Sequence, residues 1–290
     1  MERELKYDNY DYEEAYKEQI EKLEEWELER LLKEEKVSCL YRTTTIKSKN
    51  KKSGKEFIET NIYPSYNRKK DMPRTKRKRE SKPSQKNLND KNARRYLIRL
   101  VNINFAEGDY WCTFGWNEGE LPEDWRSAQK DIQRYIDRIR YRQGKRSREK
   151  IKYIYILAFD GYARPHFHLI ISTALTRDEL EDVWGKCDRP NTRRIKPDNK
   201  EMLVGMATYI TQNPHRKKRW CPSKNLDKPG KPTRSYRKFS KKKAERMVKD
   251  YEVMKEELEK AYPGYQLQEA DARYNGINAA FYIYARMVRD

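Results

Sequence analysis

Alternating apolar and polar positions predict several β-strands along this chain, because side chains in a strand point to opposite faces in turn. Residues 109–116 form the first such segment, and Lys152–Phe159 and Pro165–Ser172 form two more on either side of a turn at Gly161. Further strands of this kind are predicted near 193–195, in a hairpin from 37–46 and 55–63, and in a final hairpin over 265–287 that turns at Asn275-Gly276.

Apolar residues at helical spacing predict helices between these strands. The clearest stripe follows the first strand and consists of Trp125, Ala128, Ile132, Tyr135, Ile136 and Ile139. Thr176-Arg-Asp-Glu has the sequence of a capping box that begins a helix running to about Gly185. Further helices are predicted at 96–105, 201–212, 240–260 and, with many charged residues, 10–36. The last of these suits either packing or self-association, and both interpretations remain open.

The mixture of strands and helices, joined by short connections, predicts an α+β fold with a central antiparallel sheet flanked by helices. We divide the chain into three parts. Residues 1–86 would hold a charged N-terminal helix, a hairpin and a basic arm, residues 87–232 the central domain, and residues 233–290 a C-terminal helix and hairpin that pack on or extend the core.

The charge of the chain is unevenly distributed. The net charge is +20, yet residues 1–36 hold fourteen acids and seven bases. Residues 47–95 hold eighteen bases and five acids, and residues 212–243 hold thirteen bases and one acid. Clustered cations favour a polyanion such as nucleic acid over a generally basic, soluble surface. The polar stretch 67–95 is interpreted as part linker and part DNA-contacting arm.

Membrane and disulfide-rich classes are excluded by the composition. No run approaches the roughly 18 apolar residues of a membrane span, and Met1 leads into acids rather than a secretory signal. The four cysteines lie far apart without CxxC pairs, which argues against a disulfide scaffold or a zinc ribbon. We therefore expect reduced thiols and a cytoplasmic location.

Two of the three histidines, His166 and His168, lie two residues apart in one predicted strand. Both imidazoles should project from the same face, while Phe167 and Leu169 face the other way. Two neutral imidazoles at this spacing can bind one metal ion, with room for a carboxylate, water and substrate oxygens. Taken alone, the motif favours the simpler interpretation, a pair of histidines on a sheet without a ligand.

Tyr209 lies in the predicted helix 201–212, at the margin of the apolar stripe formed by Met202, Met206 and Ile210. At that position a ring can pack while its hydroxyl points into a cleft. The chain has 22 tyrosines, so composition alone does not single this one out.

Several motifs, taken in order, resemble those of the bacterial and phage rolling-circle replication-associated proteins, a branch of the HUH endonucleases. The first strand, Asp109-Tyr-Trp-Cys-Thr-Phe-Gly-Trp, resembles that family's first motif, and Arg164-Pro-His-Phe-His-Leu resembles its metal motif. Ala207-Thr-Tyr-Ile-Thr-Gln resembles its nucleophile helix, and the basic run from Lys217 resembles the segment that follows. The resemblance covers residues 87 to 290.

This resemblance implies a ferredoxin-like sheet and a rolling-circle replication initiator that nicks and joins single-stranded DNA. Tyr209 would attack the phosphodiester and keep a 5′-phosphotyrosine, while His166 and His168 would hold Mg²⁺ or Mn²⁺. The implied partners are single-stranded DNA or an origin hairpin, together with host helicase or replication proteins of a bacterium. The alternatives are a DNA-binding relative that has lost nicking, and a transposase or mobilisation nickase with the same chemistry.

Two positions depart from the family pattern. Where the family usually has a glutamate, eight residues before the first histidine, this chain has Ala158, and Asp160 is the candidate third ligand. Where the family usually has a lysine, one turn after the tyrosine, this chain has Gln212, which donates a hydrogen bond but carries no charge.

The predicted DNA contacts combine cations, which follow the backbone, with aromatic rings, which stack on unpaired bases. Trp220 suits either stacking on bases or packing against the core, and Tyr236 and Phe239 are also candidates for stacking. The full predicted set of DNA-binding residues is Trp111, Gln212, Lys217, Lys218, Arg219, Trp220 and Lys224.

Overall fold

The computed structural model describes residues 37–68, 83–159, 164–197, 203, 205, 207, 219–275 and 280–289. By their contacts the residues fall into two compact units. The central unit comprises Asn50–Ser53 and Arg94–Lys228, and the terminal unit comprises Met1–Lys49, Gly54–Ala93 and Pro229–Asp290. Each unit contains one five-stranded antiparallel sheet together with helices, so the predicted α+β class is confirmed.

The first elements in chain order are strands β1 (Val37–Lys49) and β2 (Glu56–Arg68), helix α1 (Pro83–Asn104), strand β3 (Tyr110–Gly115), helix α2 (Trp125–Gly144), strands β4 (Lys152–Ala158) and β5 (His166–Ser172), helix α3 (Arg177–Trp184) and strand β6 (Asn191–Arg194). They are followed by strands β7 (Cys221–Pro222) and β8 (Thr233–Ser235), helices α4 (Lys241–Lys249) and α5 (Tyr251–Ala261), and strands β9 (Gln266–Asn275) and β10 (Ala280–Arg289).

The sheet of the central unit has the strand order β6-β3-β5-β4-β7, and every pair in it is antiparallel. Its first six elements run β3-α2-β4-β5-α3-β6 along the chain. Numbering those four strands in sequence gives the spatial order 4-1-3-2, which is the split βαβ, or ferredoxin-like, arrangement. The sheet order expected from the sequence is therefore present in this unit.

Alternate residues of β5 divide the core of the central unit into two layers. Phe167, Leu169 and Ile171 belong to the cluster that contains the buried side chains of α2 and α3, such as Tyr135 and Trp184. We call this side the α2/α3 face. The other side, which carries His166 and His168, is called the histidine face. There Ile154, Ile156 and Ile170 pack with Leu97, Val101 and Phe105 from the end of α1 and the turn after it.

The helices of the α2/α3 face begin and end at residues suited to those positions. The Asp124 side chain accepts a hydrogen bond from the Ser127 backbone nitrogen at the start of α2. Thr176 and Glu179 form a reciprocal capping box at the start of α3, as the sequence predicts. Gly185 ends α3 with a φ of 63°, a left-handed conformation that glycine adopts without strain. Local sequence therefore fixes the bounds of both helices.

The sheet of the terminal unit has the strand order β8-β1-β2-β10-β9. Strands β1 and β2 pair over their whole lengths, which confirms and extends the predicted N-terminal hairpin. Strand β10 pairs with both β2 and β9, and the latter pair confirms the predicted final hairpin. Helices α4 and α5 bury Met247 and Leu258 against one face of this sheet, in a cluster with Ile58 and Ile283.

Two predicted helices differ from those in the structure. The short helix predicted at 96–105 begins at Pro83, so residues 83–95 are helical rather than a linker or an extended arm. Proline is favoured in the first turn of a helix because its missing N–H would have no partner there. The single helix predicted over 240–260 is two helices, because Asp250 has φ −142° and ψ 120° and its side chain caps Glu252 and Val253.

Several predicted features lie outside the described residues: the helix at 10–36, the basic stretch 69–82, the turn at Gly161 and most of the helix at 201–212. Within the described part of the chain, no helix is both long enough and apolar enough to cross a membrane.

Candidate metal and DNA site

Strand β5 presents His166 and His168 side by side on the histidine face. Their ring centroids are 5.1 Å apart and their planes are inclined by 82°. Metal–imidazole bonds are about 2.1 Å long, so one nitrogen from each ring can reach a common ion at this spacing. The predicted pairing of the two imidazoles on one face is thus present in the structure.

Each imidazole has a hydrogen-bond partner at its Nδ1 atom. His166 Nδ1 lies 3.1 Å from the carbonyl oxygen of Arg164, which can only accept, so Nδ1 donates and the lone pair is on Nε2. His168 Nδ1 lies 3.0 Å from the hydroxyl oxygen of Thr113 on β3. Contacts of this kind fix the orientation and tautomer of metal-binding histidines.

Burial lowers the pKa of His168 to about 4, and the neighbouring His166 lowers it further by charge repulsion. His168 is therefore neutral at physiological pH. A neutral imidazole has a nitrogen lone pair to offer a metal ion, whereas a protonated one has none.

The neighbours of the two histidines across the sheet differ in size. Thr113 and Ile156 stand on either side of His168. Gly115 and Ala158 stand on either side of His166, which leaves the sheet around that ring open. Ala158 is the position at which the resembling family has a carboxylate, and a longer side chain there would project beside His166.

The described residues contain no cluster of three or more histidine, cysteine, aspartate or glutamate side chains that could hold a metal ion. Asp160, the predicted third ligand, lies outside the described residues. The two imidazoles therefore fit part of a divalent-metal site by supplying two oriented nitrogen donors.

The segment before Tyr209 is anchored on the histidine face. Leu203 and Ala207 are buried in the same cluster as Ile154, Ile156 and Ile170. The backbone nitrogen of Leu203 donates to the buried side-chain oxygen of Asn102 over 2.8 Å. Tyr209 itself and Gln212 lie outside the described residues, but Ala207 precedes the tyrosine by only two positions.

Two of the predicted DNA-binding aromatics lie on the histidine face. Trp111 and Trp220 are partly buried against its apolar cluster, and the Trp111 ring meets His168 edge-on with centroids 6.3 Å apart. Trp220 therefore combines core packing with partial exposure. Arg219 is also half-buried, whereas Lys217 and Lys218 lie outside the described residues.

Lys224 is placed differently. It lines a groove of about 800 Å³ between α2 and β7, together with Arg140, Arg148 and Lys150. Tyr153 and Tyr155, which also line this groove, belong to the cluster of the α2/α3 face. The structure therefore brings Trp111 and Trp220 to the same face as the imidazoles and puts Lys224 on the other.

Three residues of the histidine face were not identified from the sequence. Thr113 contacts His168 directly, and β6 places Asn191 beside Thr113 and Arg193 beside Trp111. Arg193 is exposed, and its Nε donates to the side-chain oxygen of Asn191 over 3.0 Å. Their roles depend on strand register, which no local motif in the chain reveals.

Comparison with protein-family models gives one match. The model of a family of replication-associated proteins, of the ORF2 type, matches residues 109–224. These residues run from the start of β3 to Lys224 and include both histidines and Tyr209. The match supports a role in DNA replication, in line with the resemblance seen in the sequence. Comparison with curated proteins and with solved structures gives no match.

Proposed function

We propose that the protein is a replication initiator that nicks and rejoins single-stranded DNA, with Tyr209 as nucleophile. The observation that carries this proposal is a shared face. The sheet side that presents His166 and His168 is also the side on which Ala207 packs, two residues before the tyrosine. A phosphate lying over the imidazoles would then be within reach of a residue that follows Ala207.

The proposed reaction is a transesterification. The phenolic oxygen of Tyr209 attacks the scissile phosphorus and loses its proton to solvent. A phosphotyrosine ester forms while the bond from phosphorus to the 3′ oxygen breaks, and the departing oxygen takes up a proton as a 3′-hydroxyl. The ester keeps the energy of the phosphodiester, so a later 3′-hydroxyl can reverse the step and join two ends.

The described residues have supporting roles in this proposal. The carbonyl of Arg164 and the hydroxyl of Thr113 hold the two imidazoles in place, with Nε2 of His166 available for coordination. A divalent ion bound there would draw charge from the phosphate oxygens as the transition state forms. Arg193 and Trp111 stand in one row across the strands and offer a phosphate contact and an aromatic surface.

The decisive experiment looks for the covalent intermediate. The protein is incubated with Mn²⁺ and end-labelled single strands tiled across the origin region of the element that encodes it. We expect a labelled band that survives SDS and is lost with EDTA. Tyr209→Phe should abolish the band, whereas Tyr141→Phe, at a tyrosine 67 % exposed on α2, should retain it. A band that persists in Tyr209→Phe would refute the assignment of the nucleophile.

A second candidate function, single-strand binding without nicking, is favoured by one observation. Ala158 occupies the place beside His166 where the resembling family has a carboxylate. Binding of origin strands with no adduct in any of several divalent ions would support this alternative. It would also remove the nickase proposal.

The third metal ligand can be tested separately by measuring Mn²⁺ affinity. If Asp160 completes the site, Asp160→Ala should weaken Mn²⁺ binding much more than Asp178→Ala. Asp178 is an exposed residue in the first turn of α3 and serves as the control. Equal and negligible effects of the two substitutions would exclude Asp160 from the site.

A further inference from the structure

The sheet of the terminal unit has a second face, opposite the one on which α4 and α5 pack. Side chains of the helix-covered face, such as Ile62 and Ile283, belong to the apolar cluster of those helices. Residues one position along each strand project to the other side. On β1 these include Leu40, which is 45 % exposed, and Arg42.

One row across this second face consists only of aromatic and cationic residues. Arg42 pairs with Tyr63 across β1 and β2, and Tyr282 pairs with Arg273 across β10 and β9. Tyr282 directly precedes Ile283, whose partner is Ile62, so alternation places it beside Tyr63. Tyr236 directly follows Ser235, whose partner is Thr43, and so stands beside Arg42. In spatial order the row is Tyr236, Arg42, Tyr63, Tyr282, Arg273, and we call this side of the sheet the tyrosine face.

Two of these rings are held by contacts within the face. The hydroxyl of Tyr236 accepts a hydrogen bond from Arg42 Nε over 2.8 Å, and the guanidinium carbon lies 5.1 Å from the centre of the ring. The hydroxyl of Tyr63 lies 3.1 Å from the hydroxyl oxygen of Thr44. Tyr236 is nevertheless 41 % exposed. Rings that are already ordered lose little conformational freedom when a flat ligand stacks on them.

The charge around the row is mainly positive. Arg234 pairs with Thr44 in the adjacent row, and both Arg234 and Arg273 are exposed. The nearby acid Asp271 already has two cationic neighbours, Lys91 at 3.4 Å and Arg273 at 3.2 Å. An open antiparallel sheet with rings and arginines therefore suits a ligand that has both flat apolar groups and phosphates.

We propose that the tyrosine face binds single-stranded DNA independently of the two histidines. Unpaired bases stack on Tyr236, Tyr63 and Tyr282, while Arg42, Arg234 and Arg273 contact the phosphates. Duplex DNA hides the faces of its bases within the stack, so a row of flat rings favours the single strand. This second surface goes beyond the nicking reaction, because it needs neither a metal ion nor Tyr209.

The test measures binding of labelled oligothymidylate to the full-length Tyr209→Phe protein in EDTA, so that nicking plays no part. Tyr236→Ala and Tyr63→Ala should each weaken binding about tenfold, the effect of losing one stacked base. Tyr236→Phe and Tyr63→Phe keep the ring and should bind nearly as well as the parent. Tyr251→Ala removes a tyrosine that is 52 % exposed on α5 of the same unit, and it should leave binding unchanged.

A second measurement separates the cations from the rings. Arg42→Gln and Arg234→Gln should each lower the slope of binding affinity against salt concentration by about one, whereas the tyrosine variants should leave that slope unchanged. Thermal unfolding identifies any alanine variant that fails to fold, and the arginine variants then decide the case. The proposal is overturned if the Tyr236 and Arg42 variants bind like Tyr251→Ala, or if a duplex of the same length binds equally tightly and loses equally. Neither outcome affects the adduct assay for Tyr209.

Discussion

Ala158 on β4 stands directly opposite His166 on β5, on the face of the sheet that carries both imidazoles. A carboxylate at this position would add an anionic oxygen beside two neutral nitrogen donors. Ala158→Glu should therefore tighten Mn²⁺ binding by about tenfold or more, which corresponds to about 1.4 kcal/mol. Isothermal titration calorimetry measures this directly.

The matched control for this change is Ala158→Gln, which has the same size and no charge. It should bind Mn²⁺ like the parent protein. Equal affinities of the Glu and Gln variants would mean that position 158 does not face a metal site.

The hydroxyl of Thr113 should matter for metal binding although it touches no metal. Thr113→Val keeps the shape of the side chain and removes the partner of His168 Nδ1. We expect Mn²⁺ affinity to fall by about 10- to 100-fold, the usual effect of losing such an orienting contact. Thr192→Val, at the buried neighbouring position of β6 on the α2/α3 face, is the control and should have no effect. Similar losses in both variants would indicate general damage to the sheet.

Gly230 is required for packing within the terminal unit. A Cβ atom at this position would lie 2.1 Å from the carbonyl oxygen of Lys47, a contact that forces the backbone to move. Gly230→Ala should lower the free energy of unfolding by about 1–3 kcal/mol. Gly119→Ala, where the added atom meets nothing within 4 Å, should be nearly neutral. Denaturant unfolding of both variants tests this, and equal stabilities would contradict it.

The ion pair between Arg146 and Glu179 should make stability depend on acid pH. Hydrogen bonds from Arg146 and from the backbone of Thr176 lower the pKa of Glu179 to about 2 from its usual 4.5. The folded state therefore favours the ionised carboxylate. Its contribution to stability is complete above about pH 4.5 and is lost as the pH falls towards 2.

Glu179→Gln tests this dependence because glutamine keeps the shape of the capping box and lacks the charge. The parent should unfold at a higher temperature than the variant at pH 6, and the difference should disappear near pH 2. A gap of the same size at both values would show that the charge of Glu179 contributes nothing.

The sequence predicts those parts of the fold that depend on neighbouring residues. Alternation from His166 to Ser172 is enough to locate β5 and to put both imidazoles on one face. Thr176 and Glu179 mark the start of α3 because a capping box needs only four consecutive residues. The break at Asp250 is harder to foresee, since apolar residues continue at helical spacing on both sides of it.

Features that depend on distant pairing are not visible in the sequence. The contact of Thr113 with His168 and the place of Ala158 beside His166 follow from the register of β3, β4 and β5. The row of tyrosines and arginines on the terminal sheet joins residues from both ends of the chain, and no single segment contains the pattern. Lys224 belongs to a basic run, and yet a short strand turns it away from the imidazoles.

The pairing of β2 with β10 has a consequence for the order of assembly during synthesis. The hairpin of β1 and β2 leaves the ribosome early, but the strand that completes its sheet consists of nearly the last residues to be translated. Residues 94–228 emerge in between and can fold while the hairpin still has a bare edge. Premature termination before Ala280 would thus release a chain whose central unit is whole and whose terminal sheet is open to pairing with other chains.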